Sequence, residues 1–194
     1  MSWKPDYIDA DDLGDYLRIG DDADDVLLAI AATTASRIVD GHCNRQFGNV
    51  AAEARSYTAW YDYERRLWVV DIDDLADDDP TVTVAGETVT GWELEPANAV
   101  AEGKVWTRLT LPWSALTRQP GYKVDVIAPW GWPSVPTSVV QASLLQGSRL
   151  NVRRNSPFGI AGSPDQGSEM RLLARVDPDV KVALTGYRRP RKAG

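Results

Sequence analysis

The chain of 194 residues contains one cysteine, Cys43, and one histidine, His42. A single cysteine excludes an internal disulfide, and the zinc sites that need several cysteines or histidines are excluded as well. Adjacent Cys and His can suggest a thiol nucleophile with its base, but neighbouring residues on a helix do not face each other. We interpret the two as residues that close a helix and pack locally, and we predict no metal and no cofactor.

Long apolar runs are also absent, since no stretch approaches the roughly 18 residues of a membrane span. The first twelve residues, MSWKPDYIDADD, lack the basic start and apolar run of a signal peptide. Phosphate-binding glycine patterns and the Gly-x-Ser-x-Gly nucleophile motif do not occur in the sequence. We therefore expect a soluble, non-enzymatic protein that is made in the cytoplasm and has no membrane partner.

Charge is unevenly distributed along the chain, whose formal net charge is −7. Residues 1–80 hold 19 acidic and 7 basic side chains, a net charge of −12, whereas residues 81–194 hold 9 and 14, a net charge of +5. An acidic front and a basic end favour head-to-tail contacts between copies, or a basic segment that docks on an acidic or nucleic-acid surface. The alternative for any single residue is a solvated surface charge.

Two helices are predicted before residue 45. Asp9 or Asp11 can cap a short helix that Gly20 ends, and a longer helix is predicted from about residue 22 to residue 43. Small alanines keep the longer helix slim enough for close approach of another helix. Four of its other residues recur at spacings of three and four, which predicts a buried stripe. They are Leu27, Ile30, Thr34 and Ile38.

Residues from about Arg55 to Ala128 are rich in Val, Thr, Trp and Tyr and are broken by turn residues at short intervals. This pattern predicts a small antiparallel β module, at residues 52–128. Ala85-Gly86-Glu87 is typical of a hairpin turn. The predicted strands are residues 67–70, 81–84, 89–94, 105–111 and 122–127.

Helix is predicted again after the segment WGWPSVP, whose Pro136 suits the first turn of a helix. Residues 155–168 are rich in Gly, Ser and Pro and predict an extended loop, and Asp177 and Pro178 predict the start of a short last helix. The whole order predicts an α+β fold, with a helical core at residues 1–51 and 129–154 and the β module inserted into it. Residues 155–194 then form the extended loop and a C-terminal docking arm.

Six aspartates form the densest acidic cluster of the sequence: Asp71, Asp73, Asp74, Asp77, Asp78 and Asp79. Such a cluster can bind calcium, and a pair of acids can hydrolyse a substrate, in which case a change of Asp73 or Asp74 would abolish turnover. The EF-hand spacing is absent, so we interpret the cluster as solvated turns between strands. We predict neither a catalytic nor a metal-binding residue.

Eight tryptophans are many for this length. Core packing is our interpretation for four of them, Trp68, Trp106, Trp130 and Trp132. Exposed tryptophans could instead stack on sugars, which keeps a carbohydrate-binding or surface-binding β module as the alternative function.

Four segments, in this order, resemble the head–tail connector (head-to-tail adaptor) family of long-tailed, siphovirus-type bacteriophages, especially its actinobacteriophage members. Residues 7–13 precede a long helix that ends near residues 40–47, and residues 92–99 lie within the β module. WGWPSVP leads into residues 139–154, and residues 155–162 precede residues 172–180. The segments cover nearly the whole chain, and WGWP and the Asn-Ser-Pro-Phe-Gly stretch are the more distinctive parts.

The resemblance implies a mainly helical, structural subunit that forms a homo-oligomeric ring of twelve copies beneath the phage portal. Such a ring extends the DNA channel, through which DNA passes without sequence-specific binding, and it presents a platform to the next neck or tail-completion protein. The expected localisation is the virion neck, between capsid and tail. The resemblance also implies that a C-terminal arm reaches the portal.

Two sets of residues are candidates for these contacts. A ring needs one patch that meets a different patch on the neighbour, and acids near the N-terminus could meet arginines near residue 150. The predicted subunit interface comprises Arg149, Arg153, Arg154, Asp21, Asp22, Asp24 and Asp25. The predicted portal-docking residues are Phe158, Tyr187, Arg188, Arg189 and Arg191.

Overall fold

The structure is a computed structural model that describes residues 4–20, 24–116, 122–154, 160–161, 170–171 and 176–190. The chain divides into two units. A β unit comprises Gly48–Ser134, and a helical unit comprises Lys4–Phe47 together with the chain from Val135 onward. The helical unit is therefore built from two separate stretches of sequence, whereas the β unit is one continuous stretch.

The first helix of the helical unit, α1 (Ala10–Leu17), has the predicted N-terminal cap. The Asp9 side chain accepts a hydrogen bond from the backbone N–H of Asp12, at 2.8 Å, and the Asp12 side chain accepts one from the N–H of Asp9, at 3.1 Å. This reciprocal pair satisfies donors that the first turn of a helix leaves open. The helix ends at Leu17, before the predicted Gly20, because Arg18 takes a left-handed conformation with φ 58°.

The long helix α2 (Asp25–Cys43) is where the predicted buried stripe is wrong. Leu27, Ile30 and Thr34 are exposed, and Ile38 is half-buried. The buried stripe lies one position further along, and its residues are Leu28, Ala32, Ala35, Ser36, Val39 and Cys43. Both stripes have helical spacing, and the one rich in alanine is buried because small side chains let neighbouring helices approach.

Two further helices complete this unit: α3 (Thr137–Arg154) and α4 (Pro178–Ala183). Gly147 of α3 lies against α1, where an added Cβ would come within 3.1 Å of Leu13 Cδ1. The predicted last helix is confirmed, with Asp177 as its cap and Pro178 at its first position. Ile160–Ala161 (β8), in the predicted loop, and Met170–Arg171 (β9), just after it, form a two-stranded antiparallel pair.

The β unit is a curled antiparallel sheet in the order β4-β3-β7-β1-β2-β6-β5, with an additional pairing of Leu75 and Trp130 that joins β7 to β2. Its seven strands are β1 (Asn49–Asp62), β2 (Leu67–Leu75), β3 (Thr81–Val84), β4 (Glu87–Thr88), β5 (Glu93–Glu95), β6 (Trp106–Pro112) and β7 (Lys123–Gly131). The core inside the curl is made of large side chains, among them Trp130, Ile72, Leu109 and Leu111.

The strand predicted at residues 81–84 is found with those bounds, and the strands predicted at 67–70, 105–111 and 122–127 are found with shifted ends. The strand predicted at residues 89–94 is wrong, since β4 precedes it and β5 overlaps only its last two residues. The longest strand, β1, was not predicted, although it pairs with both β7 and β2. The turn between β3 and β4 is the predicted hairpin, with positive φ at Ala85 and Gly86.

The segment WGWPSVP ends a strand as well as leading into a helix. Trp130 and Gly131 are the last residues of β7, and Gly131 has φ 112°, where an added Cβ would clash with the carbonyl oxygen of Gly48. The buried Trp130 donates from its indole N–H to the carbonyl of Glu53 at 3.0 Å. The mixed α/β class is confirmed, but a helical core that carries a small module is not, because the sheet is large and encloses a core of its own.

Candidate interaction surfaces

The predicted subunit interface is only partly covered by the described residues, since Asp21 and Asp22 lie outside them. The structure brings Arg154 of α3 next to Asp24, with Nη2 of the arginine 2.9 Å from Oδ2 of the aspartate. Arg153 and Asp25 are exposed. One of the predicted acid–arginine contacts therefore forms within a single chain, and a role of these residues between subunits stays a prediction.

Arg149 fixes α4 to α3. Its Nη1 lies 2.9 Å from Oδ2 of Asp177, whose backbone N–H donates to the side-chain oxygen of Gln146 at 3.1 Å. The other carboxylate oxygen of Asp177 accepts from the N–H of Asp179 at 2.9 Å and caps α4. One aspartate thus caps a short helix and holds it in place, with Val180 and Leu184 buried beneath it.

The predicted portal-docking residues divide into two groups. Phe158 and Arg191 lie outside the described residues, and Arg188 is exposed. Tyr187 packs edge-on against Phe47 with ring centroids 5.7 Å apart, and the backbone N–H of Arg189 donates to the carbonyl of Cys43 at 2.8 Å. This part of the chain is packed on the end of α2, and its role in docking to a portal stays a prediction.

Tyr7 links the N-terminal segment to the same end of α2. Its hydroxyl donates to Asp40 and accepts from the backbone N–H of Phe47 at 2.8 Å, and its own N–H donates to the hydroxyl of Ser36 at 2.9 Å. Burial raises the pKa of the Asp40 carboxyl, although the hydrogen bond from Tyr7 and the charge of Arg37 act in the opposite direction. These hydrogen bonds form a polar cluster that joins the N-terminal segment to the end of α2.

Cys43 and His42 lie at the end of α2 in different environments. Cys43 is fully buried, and burial raises the pKa of its thiol to about 11, so the thiol stays protonated near neutral pH. Burial also lowers the pKa of His42, and the positive charges of Arg188 and Lys181 act in the same direction. Cys43 is one of the buried residues of α2, in line with local packing.

The exposed side of α2 carries large aliphatic side chains. Val26 is 74% exposed, Leu27 45% and Ile30 59%. Leu27 and Ile30 line one side of a groove of about 220 Å³, with Leu150 of α3 on the other side and Arg154 at its edge. The sequence contained a signal for this surface: α2 has two sets of apolar residues at helical spacing. Since the helix buries only one of these faces, the large residues of the other face remain exposed.

The acidic cluster of the β unit is divided among separate partners. Asp71 lies 3.2 Å from Nε of Arg108, and Asp73 accepts from Nη1 of Arg55 at 2.8 Å. Asp74 is buried and accepts from the indole N–H of Trp132 at 2.9 Å. The described residues contain no group of three acidic, histidine or cysteine side chains placed to hold a metal ion.

The tryptophans separate into a core set and an exposed set. Trp68, Trp130 and Trp132 are buried as predicted, and Trp106 is half-buried against the same core. Trp60 and Trp113 are exposed. A continuous series of ring contacts runs through Tyr63, Tyr61, Trp68 and Tyr122, and Trp113 also contacts Tyr61. The β unit therefore ends in an aromatic surface near the turn between β1 and β2.

Comparison with known proteins gives a match in fold. No family model matches the chain, and no curated protein matches it. A solved structure described as the neck of an empty GTA particle, computed with C6 symmetry, contains a chain with 17% identity and a TM-score of 0.53. The match covers 100% of this chain and 96% of that chain. Within the described residues, no helix is long and apolar enough to cross a membrane.

Proposed function

We propose that this chain is a structural subunit of the neck of a phage or phage-like particle. The observation that carries the proposal is the fold match over the full length of the chain to a chain from the neck of a GTA particle. The order of motifs in the sequence independently resembles the head–tail connectors of siphovirus-type phages. The fold match and the sequence pattern therefore both support a role in the neck.

The finer proposal is a head-to-tail connector: a ring beneath the portal that extends the DNA channel and supports the next neck or tail-completion protein. The C6 symmetry of the neighbour's structure is compatible with a ring of twelve copies, because twelve is a multiple of six. A net charge of −7 suits a channel wall, since an acidic surface does not hold passing DNA by its phosphates.

The described residues give a physical reason to propose a non-enzymatic role. Asp71, Asp73 and Asp74 each have their own arginine or indole partner. Cys43 is buried and protonated near neutral pH. A carboxylate that acts in general acid–base chemistry has to exchange a proton with a substrate, and these carboxylates are bonded to partners within the chain.

The first experiment is a measurement of copy number in purified particles, by quantitative peptide mass spectrometry against the portal protein. A ratio near one to one is expected for a neck ring that matches the portal. Absence of the chain from particles, or a count in the hundreds, would contradict the neck role.

A carbohydrate-binding role is the alternative, favoured by the aromatic surface of the β unit. The change Trp113→Ala removes an exposed ring at that surface, and Trp60→Ala is a matched control at an exposed position of β1. Glycan binding by the whole chain that is lost in the first variant and kept in the second would favour the alternative. No binding to a broad glycan set would leave the structural role.

A further inference from the structure

The groove between α2 and α3 has the size and chemistry of a site for a protein side chain. Its volume of about 220 Å³ is below the roughly 300 Å³ at which small-molecule sites begin. Leu27, Ile30 and Leu150 make its walls apolar, and the neighbouring Val26 extends the apolar surface. Single exposed aliphatic residues are ordinary, but a grouped set beside a groove marks an interaction surface.

A matching projection lies on α4. Val182 is 76% exposed, although it stands between two anchoring residues, Val180 and Leu184, that are fully buried. The bonds of Asp177 to Arg149 and Gln146 hold the helix on α3. Val182 is therefore an exposed aliphatic side chain on a fixed support, which lowers the entropy cost of a contact.

The two surfaces belong to opposite ends of α2. The groove uses residues of its first half, Leu27 to Thr34, whereas the charge of Lys181, the residue before Val182, acts on His42 near its last residue. A helix of 19 residues is roughly 28 Å long. Contacts between two different patches are head-to-tail contacts, which can close into a ring, whereas a two-fold pair joins a patch to itself.

Charge favours the same pairing. Asp25 is exposed at the start of α2, two residues before Leu27 of the groove. On the other surface, the exposed Lys181 and Arg188 both act on His42 and outnumber the exposed Asp179. Opposite charges around an apolar contact steer the two surfaces together and fix their register. The complementarity favours a second copy of this chain as the occupant of the groove.

We propose that the groove of one copy receives the Val182 surface of α4 from the next copy, a contact that rests on the proposed ring. The contact is apolar at Leu27, Ile30 and Val182, and it is bordered by Asp25 on one copy and Lys181 on the other. Arg154 stays paired with Asp24 at the edge of the groove, so the interface needs no exchange of that ion pair.

A disulfide between two single-cysteine variants tests the contact directly. In a Cys43→Ala background, Ile30→Cys protein is mixed with Val182→Cys protein under oxidising conditions, so that any mixed disulfide joins two copies. A mixed dimer on a non-reducing gel is expected to form at least about tenfold faster than in the control mixture. The control pairs Ile30→Cys with Val100→Cys, an exposed valine of the β unit at 55% exposure.

Rates equal to the control would overturn the proposed contact. Dominant Ile30→Cys homodimers would also overturn it, because they would indicate that the groove meets its own copy by two-fold symmetry. Folding of each variant is checked by its thermal unfolding, which should match that of the parent because both sites are exposed.

Exchange of charges gives a second, independent test. Asp25→Lys should weaken self-association in sedimentation by about tenfold or more, and the added change Lys181→Asp should restore it. If the double variant does not regain self-association, the proposed pairing of Asp25 with Lys181 between copies is wrong.

The outcomes separate this contact from the neck role. If the chain is present in particles at the portal's copy number but the cysteine pair fails, the neck role stands and the contact falls. If the pair forms but the chain is absent from particles, the contact stands and the neck role falls.

Discussion

The two units of this chain differ in the side chains that they pack and in those that they leave exposed. The β unit encloses large ones, such as Trp130 and Leu109, inside the curl of its sheet. The helical unit packs small ones, such as Ala32, Ala35 and Gly147, between its helices and leaves Val26 and Ile30 on the surface. Both units also leave apolar side chains exposed, but of different kinds: aliphatic ones on α2 and aromatic ones, such as Tyr63 and Trp113, on the β unit.

The comparison predicts the largest loss of stability at Trp130. Trp130→Ala should cost about 3–5 kcal/mol, because it leaves a cavity in the core and removes the indole bond to Glu53. Trp113→Ala should cost about 1 kcal/mol or less, because that ring is exposed. Denaturant unfolding of the two variants measures the difference. Equal losses would show that the exposed ring is part of the core.

The second prediction concerns two adjacent leucines of α2. Leu28→Ala should cost about 2–5 kcal/mol, since Leu28 is 2% exposed, whereas Leu27→Ala should change the stability of the monomer by about 0.5 kcal/mol or less. Thermal unfolding at low protein concentration, where association is weak, gives the comparison. A larger loss of stability in Leu27→Ala than in Leu28→Ala would mean that the stripe predicted from the sequence is the buried one.

The third prediction tests the packing of small residues. Gly147→Ala should destabilise the chain by about 1 kcal/mol, because the new Cβ would lie 3.1 Å from Cδ1 of Leu13, and this fully buried side chain would have to shift. Gly41→Ala is the matched control, since nothing lies within 4 Å of a Cβ at that position of α2. The control should be neutral or slightly stabilising, because alanine favours a helix. Stabilisation of both variants would mean that α1 and α3 are not closely packed.

The smallest predicted effect is a change in pH dependence at Asp40. The pKa of its carboxyl is raised in the folded protein, so the folded state holds the proton more tightly than the unfolded chain. Its contribution to stability is fully present below the ordinary value of 3.8 and is lost as pH rises through the folded pKa. Asp40→Asn keeps an acceptor for Tyr7 and cannot ionise.

Relative to the wild type, the Asp40→Asn variant should therefore gain unfolding free energy as pH rises from that value toward neutrality. Unfolding at a series of pH values measures this difference. Parallel curves for the two proteins would contradict the raised pKa.

What could be predicted from the sequence was mainly local. The caps at Asp9 and Asp177 were predictable because a cap depends on residues two or three positions away. The hairpin at Ala85 and Gly86 was predictable for the same reason. Strand β1 was not, because its polar and small residues form a strand through pairing with β7 and β2, which are distant along the chain.

The candidate surfaces were less predictable than the fold. Leu27 and Leu28 both fit a helical period, and only the position of the neighbouring helices decides which of them is buried. The bond of Arg154 to Asp24 joins residues 130 positions apart, so composition could suggest the charges but not their partners. The charge asymmetry predicted complementary surfaces, and the exposed stripe of α2 was the part that periodicity alone assigned wrongly.

The contacts at the end of α2 have a consequence for the order in which the two units can fold during synthesis. Phe47 contacts both Tyr7 and Tyr187, so its surroundings are complete only after the ribosome has made the residues near position 190. The β unit, residues 48–134, needs no later part of the chain for its seven strands. On the ribosome, the sheet can therefore fold while α1 and α2 wait for α3 and α4, and the groove of α2 acquires its second wall late.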